Sequence, residues 1–218
     1  MKKLITENDV LKLYKDGNRV LFIGSDFIIT PLAKDKIREL KIEISYKKQE
    51  ELNKEITTNL TFIGNLKCAI GSDHTGFFAK EIVKKMLVQK GYLVSDVGTY
   101  SDKSCDYPDF AFEVAKKVAT GETNFGILLD ATGIPSAITA NKLPGIRAAT
   151  CYNEFSARSS REHNNSNILV LGAKMLGEEL IKSIIEIYLS SKFLGERHQK
   201  RLDKIDKIEK YFLSNSLK

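Results

Sequence analysis

Two of the three histidines in this 218-residue chain, His74 and His163, stand beside residues that hold hydroxyls or protons: Asp73 precedes the first and Asn164 follows the second. A third polar cluster, Asp130-Ala131-Thr132-Gly133, comes directly after an apolar run at 125–129. An imidazole exchanges protons near neutral pH, and a carboxylate or carboxamide beside it can fix a hydroxyl while it does so. Brought together, these groups would bind an anionic small molecule and move its protons.

The elements that must position them alternate between short apolar runs and helical periods, which reads as successive βαβ units and a parallel sheet. A strand at 68–70 runs into Gly71-Ser72-Asp73-His74, followed by a helix with Phe78, Ile82, Val83, Met86 and Leu87 on one face and a stop at Lys90-Gly91. A strand at 92–97 leads through Gly98-Thr99 to a helix opened by Asp106-Tyr107-Pro108. Strands at 125–129, 147–151 and 168–171 complete a set of five, with helices after 133 and at 153–162, 178–190 and 196–212. In an open parallel sheet, ligands bind beyond the carboxyl ends of the strands, so Asp73-His74, Asp130–Gly133 and His163-Asn164 are all expected there.

The first third is less regular. It reads as a helix at 6–16, a strand at 20–23, a helix opened by Thr30-Pro31 and running to 40, a strand at 42–44, and a charged stretch at 47–54 that is either a linker or a solvated helix. This gives two regions, a small α/β module at 1–64 and a larger α/β domain at 65–218.

Composition narrows the field. With 42% apolar and 28% charged residues, the chain has the balance of an ordinary globular protein. Its longest uncharged stretches, 56–66 and 131–141, fall well short of the roughly 20 residues a membrane helix needs. Glu7 and Asp9 arrive too early for a secretory signal, so the expected compartment is the cytoplasm. Three cysteines without CxxC spacing suggest neither a disulfide framework nor a metal site. The net charge of +6 is concentrated at 192–218, with 8 basic against 4 acidic residues. Without interleaved aromatics, that excess points to an anionic small molecule or a partner subunit rather than nucleic acid.

Several longer motifs carry a resemblance: Ser72-Asp73-His74-Thr75-Gly76-Phe77, Asp106-Tyr107-Pro108-Asp109, Ala140-Asn141-Lys142-Leu143-Pro144-Gly145-Ile146-Arg147-Ala148, Ser156-Ala157-Arg158 through Arg161-Glu162-His163-Asn164, and Gly195-Glu196-Arg197-His198-Gln199-Lys200-Arg201. In order and spacing, over about two-thirds of the chain, they resemble the type B ribose-5-phosphate isomerase family, which includes galactose-6-phosphate isomerase. The resemblance implies a Rossmann-like (flavodoxin-like) three-layer domain, no metal or organic cofactor, and a homodimer or tetramer with active sites shared between subunits. It further implies that Asp73 and His74 contact a phosphorylated sugar, that His163 donates a proton during ring opening, and that Asn164 binds a hydroxyl. Arg197 and Arg201 would hold the phosphate from the partner subunit, since two guanidinium groups one helical turn apart can clamp it.

One loop departs from the family. Where relatives usually carry Cys-Gly-Thr-Gly-x-Gly, this chain has Asp130-Ala131-Thr132-Gly133-Ile134-Pro135. The cysteine is the family's base, moving a proton between the first two sugar carbons through an enediolate. Asp130 stands in its place, as base, as helix cap, or as a ligand for a different substrate group. Pro135 removes an N–H from a loop expected to stabilise the enediolate, Ala131 replaces a glycine, and Lys174 stands where relatives carry a phosphate-binding arginine. Thr132 and Gly133 are as the family has them, and the resemblance implies a catalytic place for Thr132 beside Asp130 and His163, with Ala131 and Gly133 binding substrate. Two functions follow from the resemblance: an aldose–ketose isomerase, with ribose 5-phosphate the default substrate, or a sugar-phosphate-binding or assembly protein with little catalysis. Leu4-Ile5-Thr6 with Ile29-Thr30-Pro31-Leu32-Ala33-Lys34-Asp35 resembles a short module of some bacterial microcompartment-associated enzymes, which extends the expected location to a microcompartment.

Overall fold

Short apolar runs between amphipathic helices shape the first part of the chain into β1 (Lys3–Ile5), α1 (Glu7–Lys15), β2 (Val20–Ile23), β3 (Phe27–Ile29), α2 (Pro31–Glu39) and β4 (Glu43–Tyr46). The computed structural model describes residues 3–15, 19–23, 27–46 and 66–215, which fall into two units, Met1–Phe62 and Ile63–Lys218. In the first unit β1 pairs in parallel with β3, and β2 with β4, around a core of Ile5, Val10, Ile23, Ala33, Ile37 and Ile42. Thr30 caps α2 by accepting from the Ala33 N–H at 3.3 Å, and Pro31 occupies the first turn, where a missing N–H is harmless. β1 and β3 escape a sequence reading because three residues are too few to display a period. The charged stretch at 47–54 lies outside the described residues.

The second unit carries β5 (Lys67–Ser72), α3 (Phe77–Gln89), β6 (Leu93–Asp96), α4 (Tyr107–Ala119), β7 (Phe125–Asp130), α5 (Ile134–Ala140), β8 (Ala148–Thr150), α6 (Glu154–Glu162), β9 (Ile168–Gly172), α7 (Glu178–Ser190) and α8 (Glu196–Asn215). Its five strands form one parallel sheet in the order β6-β5-β7-β9-β8. The Rossmann-like expectation therefore holds, with the last two strands exchanged relative to the flavodoxin order.

Both alternating side-chain sets of the central strands are apolar, which demands a helical layer on each face. Cys68, Ile70, Ile127, Leu129, Leu169 and Leu171 pack with α3, α6 and α7, while Ala69, Leu128, Ile168 and Val170 pack with α4 and α5. Burying an aliphatic side chain of this size contributes about 1.5–3 kcal/mol.

The face assigned to α3 needs one correction. Phe78 is 67% exposed, whereas Lys80 is fully buried. Lys80 Nζ lies 2.9 and 2.8 Å from the two Asp96 carboxylate oxygens at the end of β6, and 2.7 Å from Glu81. Asp96 also accepts from Lys84 at 2.7 Å and from the Gly98 N–H at 2.9 Å. Apolar periodicity cannot anticipate a buried ammonium paired with a carboxylate from another element.

Burial acts to raise the Asp96 carboxyl, but hydrogen bonds from Lys80, Lys84 and Gly98 outweigh it and hold the group below the usual carboxylate range. Such a group stabilises the fold above its unfolded-state pKa, and that contribution is lost as pH falls through the folded value. Lys80→Ala leaves Asp96 with Lys84 as its one remaining ammonium among these contacts and empties a fully buried position, and is expected to cost about 3 kcal/mol in urea unfolding at neutral pH. Asp96→Asn should be less stable than the parent at neutral pH, the gap closing in acid; a gap constant from pH 7 to pH 3 would show that the pair is not what stabilises this corner.

Candidate active site

β5 lies between β6 and β7, so the chain reverses its direction of winding there, and the crevice outside the carboxyl ends of β5 and β7 is the expected ligand position. The same tetrapeptide pattern, Asp-x-Thr-Gly, closes both strands, as Asp73-His74-Thr75-Gly76 and Asp130-Ala131-Thr132-Gly133. Asp73 Oδ1 accepts from the Thr75 N–H at 2.9 Å, the Thr75 hydroxyl at 2.6 Å and the Gly76 N–H at 3.1 Å. Asp130 Oδ1 accepts from the Thr132 and Gly133 N–H groups at 2.8 and 2.6 Å, and its Oδ2 accepts from the Ser136 N–H at 3.0 Å. Asp130 is only 1% exposed. Each carboxylate thus folds its own loop around itself as an Asx turn leading into a helix.

The two loops touch. The Asp73 N–H donates to the Leu129 carbonyl at 3.3 Å, and a Cβ at Gly76 would fall 2.6 Å from that same oxygen. On the other side, a Cβ at Gly172 would lie 2.7 Å from the Thr132 carbonyl group, so the end of β9 can approach the Asp130 loop only as glycine. Gly133 adopts φ +80°. The Lys174 N–H donates to the Ala131 carbonyl at 3.0 Å, the Thr150 hydroxyl to Gly133 at 2.8 Å and the Tyr152 hydroxyl to Thr132 at 3.0 Å. The Lys174 side chain is exposed at this edge. His74 Nδ1 lies over the Cys105 peptide, 3.2 Å from its carbonyl oxygen and 3.3 Å from its nitrogen, which leaves Nε2 to meet a substrate.

Pro135 sits in the first turn of α5, where a helix has no internal acceptor for an N–H. The more consequential feature is that the N–H groups of Thr132, Gly133 and Ser136 are already held by Asp130. Burial pushes the thiols of Cys68 and Cys151 up, so neither is a ready proton acceptor.

His163 and Asn164 require a correction. They follow the carboxyl end of α6 and precede β9, whose first residue pairs with Gly126 near the start of β7. They therefore lie at the amino edge of the sheet, not with the Asp loops. β9 alone spans about 13 Å, which separates the two clusters. At the amino edge His163 and Asn164 line a cleft of about 670 Å³ with Arg147, His198, Arg201 and Glu209. Arg197 and Arg201 are both exposed, one turn apart in the first turns of α8, and the Leu194 N–H ties the approach to that helix to the Glu162 carbonyl at 3.0 Å.

His198, which the sequence reading leaves in a basic tail, is the residue that reading misses. Its ring stacks on His163 with centroids 4.4 Å apart and planes 7° from parallel. Burial holds it below the usual histidine value, and the positive charges of His163, Arg197 and Arg201 act the same way against Glu196. The available signal is spacing: His198, Leu202 and Ile205 fall on one helical face.

One edge of the domain thus carries two carboxylates, an imidazole and a loop whose amides are held by Asp130. The other carries a stacked pair of imidazoles, a carboxamide and two guanidinium groups, a set that can bind an anion. Among the described residues no group of three or more His, Cys, Asp or Glu is placed to hold a metal ion, and no helix is long and apolar enough to cross a membrane.

Known proteins resemble this chain in sequence and fold. The chain is 44% identical over 143 residues to ribose-5-phosphate isomerase B of Escherichia coli (strain K12), covering 66% of this chain and 96% of that protein. Among solved structures, a Clostridium thermocellum ribose-5-phosphate isomerase B superposes with a TM-score of 0.67 at 46% identity, over 67% of this chain and 99% of the other. The Mycoplasma genitalium ribose-5-phosphate isomerase B, solved with bound ribulose-5-phosphate, gives 0.65 at 39% identity over 67% and 97%. The Ribose/Galactose Isomerase family matches residues 68–205, and the chain belongs to that family.

Proposed function

We propose that this protein is a cofactor-independent aldose–ketose isomerase of a phosphorylated sugar, with ribose 5-phosphate and ribulose 5-phosphate as the default pair. The observation that carries this reading is the extensive match to ribose-5-phosphate isomerase B, one of whose members holds ribulose-5-phosphate, combined with a polar edge built around Asp73, His74 and Asp130. His163 donates a proton to the ring oxygen, Asn164 holds a hydroxyl, and Arg197 and Arg201 grip the phosphate. Asp73 and His74 orient the opened sugar, and Thr132 with Lys174 borders it.

Asp130 carries the proton between the first two carbons through Oδ2. Its Oδ1 lone pairs are both taken by loop amides, while Oδ2 accepts a single N–H and keeps one lone pair for a proton. A second reading is favoured by the same contacts: a buried carboxylate that accepts from the second and third amides after it, as Asp73 does, is a cap, and the protein then binds sugar phosphates with little turnover. Asp130→Asn and Asp130→Cys separate the two. If Asp130 is the base, Asn lowers kcat for ribose 5-phosphate by about 10²–10⁴ while sugar-phosphate binding persists. If it is a cap, the parent is nearly inactive and Cys raises turnover.

Because the two halves of the site lie at opposite sheet edges, a working site takes one half from each of two copies, at least a dimer. Ile205 and Ile208 on α8 leave apolar surface for such a contact. Asp130→Asn and His163→Ala chains, each inactive alone, should recover about a quarter of parental activity when co-assembled at random, since about half of the dimers are mixed and one of the two sites in each is intact. No recovery in a verified mixed dimer would place both halves in one chain.

Residues 1–64 serve assembly or targeting in the cytoplasm, including delivery to a bacterial microcompartment. The support is their separate core and their position outside the family match. Removing them should change assembly size or location and leave turnover intact.

A further inference from the structure

The parallel rings of His163 and His198 come from different elements, the first ending α6 and the second lying between Arg197 and Arg201 near the start of α8. His163 Nδ1 is 3.1 Å from the Ser159 hydroxyl, so its Nε2 is the nitrogen left to meet a substrate. His198 is 5% exposed; Arg197 Nε–H approaches its Nε2 at 3.4 Å, and its Nδ1 is buried without a hydrogen-bond partner. The ring is therefore held by stacking and by its arginine neighbour rather than by a bond of its own to the fold.

We propose that His198 is a positioning residue through which an anion gripped by Arg197 and Arg201 arms His163 as the proton donor. This rests on the isomerase reading for what His163 does, and on the ring geometry for how it is controlled. Two imidazoles stacked 4.4 Å apart oppose each other's charge, so a first added proton on the pair disfavours a second. With the arginines uncompensated, their charge opposes even that proton. A phosphate dianion between them cancels the opposition, and the pair takes up a proton. His163 is the less buried of the two rings and the one that faces the cleft.

The other charged groups near the pair do not substitute for the anion. Glu196 sits beside Arg197 on α8, Glu209 spends its carboxylate on the Gly145 N–H at 3.0 and 3.1 Å, Arg147 donates to the Asn165 carbonyl at 3.0 Å, and Arg161 turns to Asn165 and the Ser166 carbonyl. Phosphate then acts on the rate of ring opening as well as on binding, and an unphosphorylated sugar meets an unarmed donor.

Histidine ring signals of the full-length protein, followed by NMR across pH with and without inorganic phosphate, test the coupling directly. In the parent, phosphate should move proton uptake by the pair upward by about one pH unit. In His198→Ala the response of His163 should fall to less than half, with phosphate binding verified by ³¹P line broadening. In turnover, His198→Ala should lower kcat about tenfold to a hundredfold with KM nearly unchanged, and His198→Phe, which keeps a flat ring, should recover most of it. An equal phosphate response in the parent and in His198→Ala overturns the proposal, as does a parent that binds phosphate without any response. A normal response in a protein that turns over no sugar phosphate supports the coupling and overturns only the isomerase reading.

Discussion

In an all-parallel sheet each strand must be followed by a helix that carries the chain back to its starting edge, and that constraint governs everything in the larger unit. It buries both faces of β5, β7 and β9, which is why their side chains are apolar on both sides. It sends every strand end, and with it Asp73 and Asp130, to one edge, where the following helices present their N–H groups. It equally sends every helix end to the other edge, which is where His163 and Asn164 are found. The two sets of polar side chains therefore stand at opposite edges of one sheet.

A carboxylate at position 130, where the family resemblance places a thiol, changes the whole loop and not one side chain alone. A thiol is a weak hydrogen-bond acceptor and leaves nearby amides available to a substrate oxygen. A carboxylate draws them in, and here three amides have been drawn. The loop gains internal order and gives up donors that could otherwise meet an enediolate. Whether the carboxylate also moves protons depends on one remaining lone pair of Oδ2.

Much of this was legible in the sequence. The alternation of strands and helices, the α2 cap at Thr30 and the strand-end positions of Asp73 and Asp130 follow from local pattern, because period and capping are properties of neighbours in the chain. What escaped depends on residues far apart in sequence. In sequence His163 reads as a companion of Asp130 because both adjoin strands, and only the direction of α6 separates them. The Lys80–Asp96 pair joins a helix to a strand end, and the His163–His198 stack joins elements 35 positions apart, so neither leaves a periodic trace. The β1 and β3 triplets were too brief to register.

The amide nest at the end of β7 is already filled by a negative charge that belongs to the protein. Helix starts of this kind commonly attract phosphate, and an occupied one repels it. An anionic group approaching this edge therefore meets like charge, while a neutral one does not. Asp130 is in that sense a compass needle: a ligand charged at one end would turn that end away from the sheet.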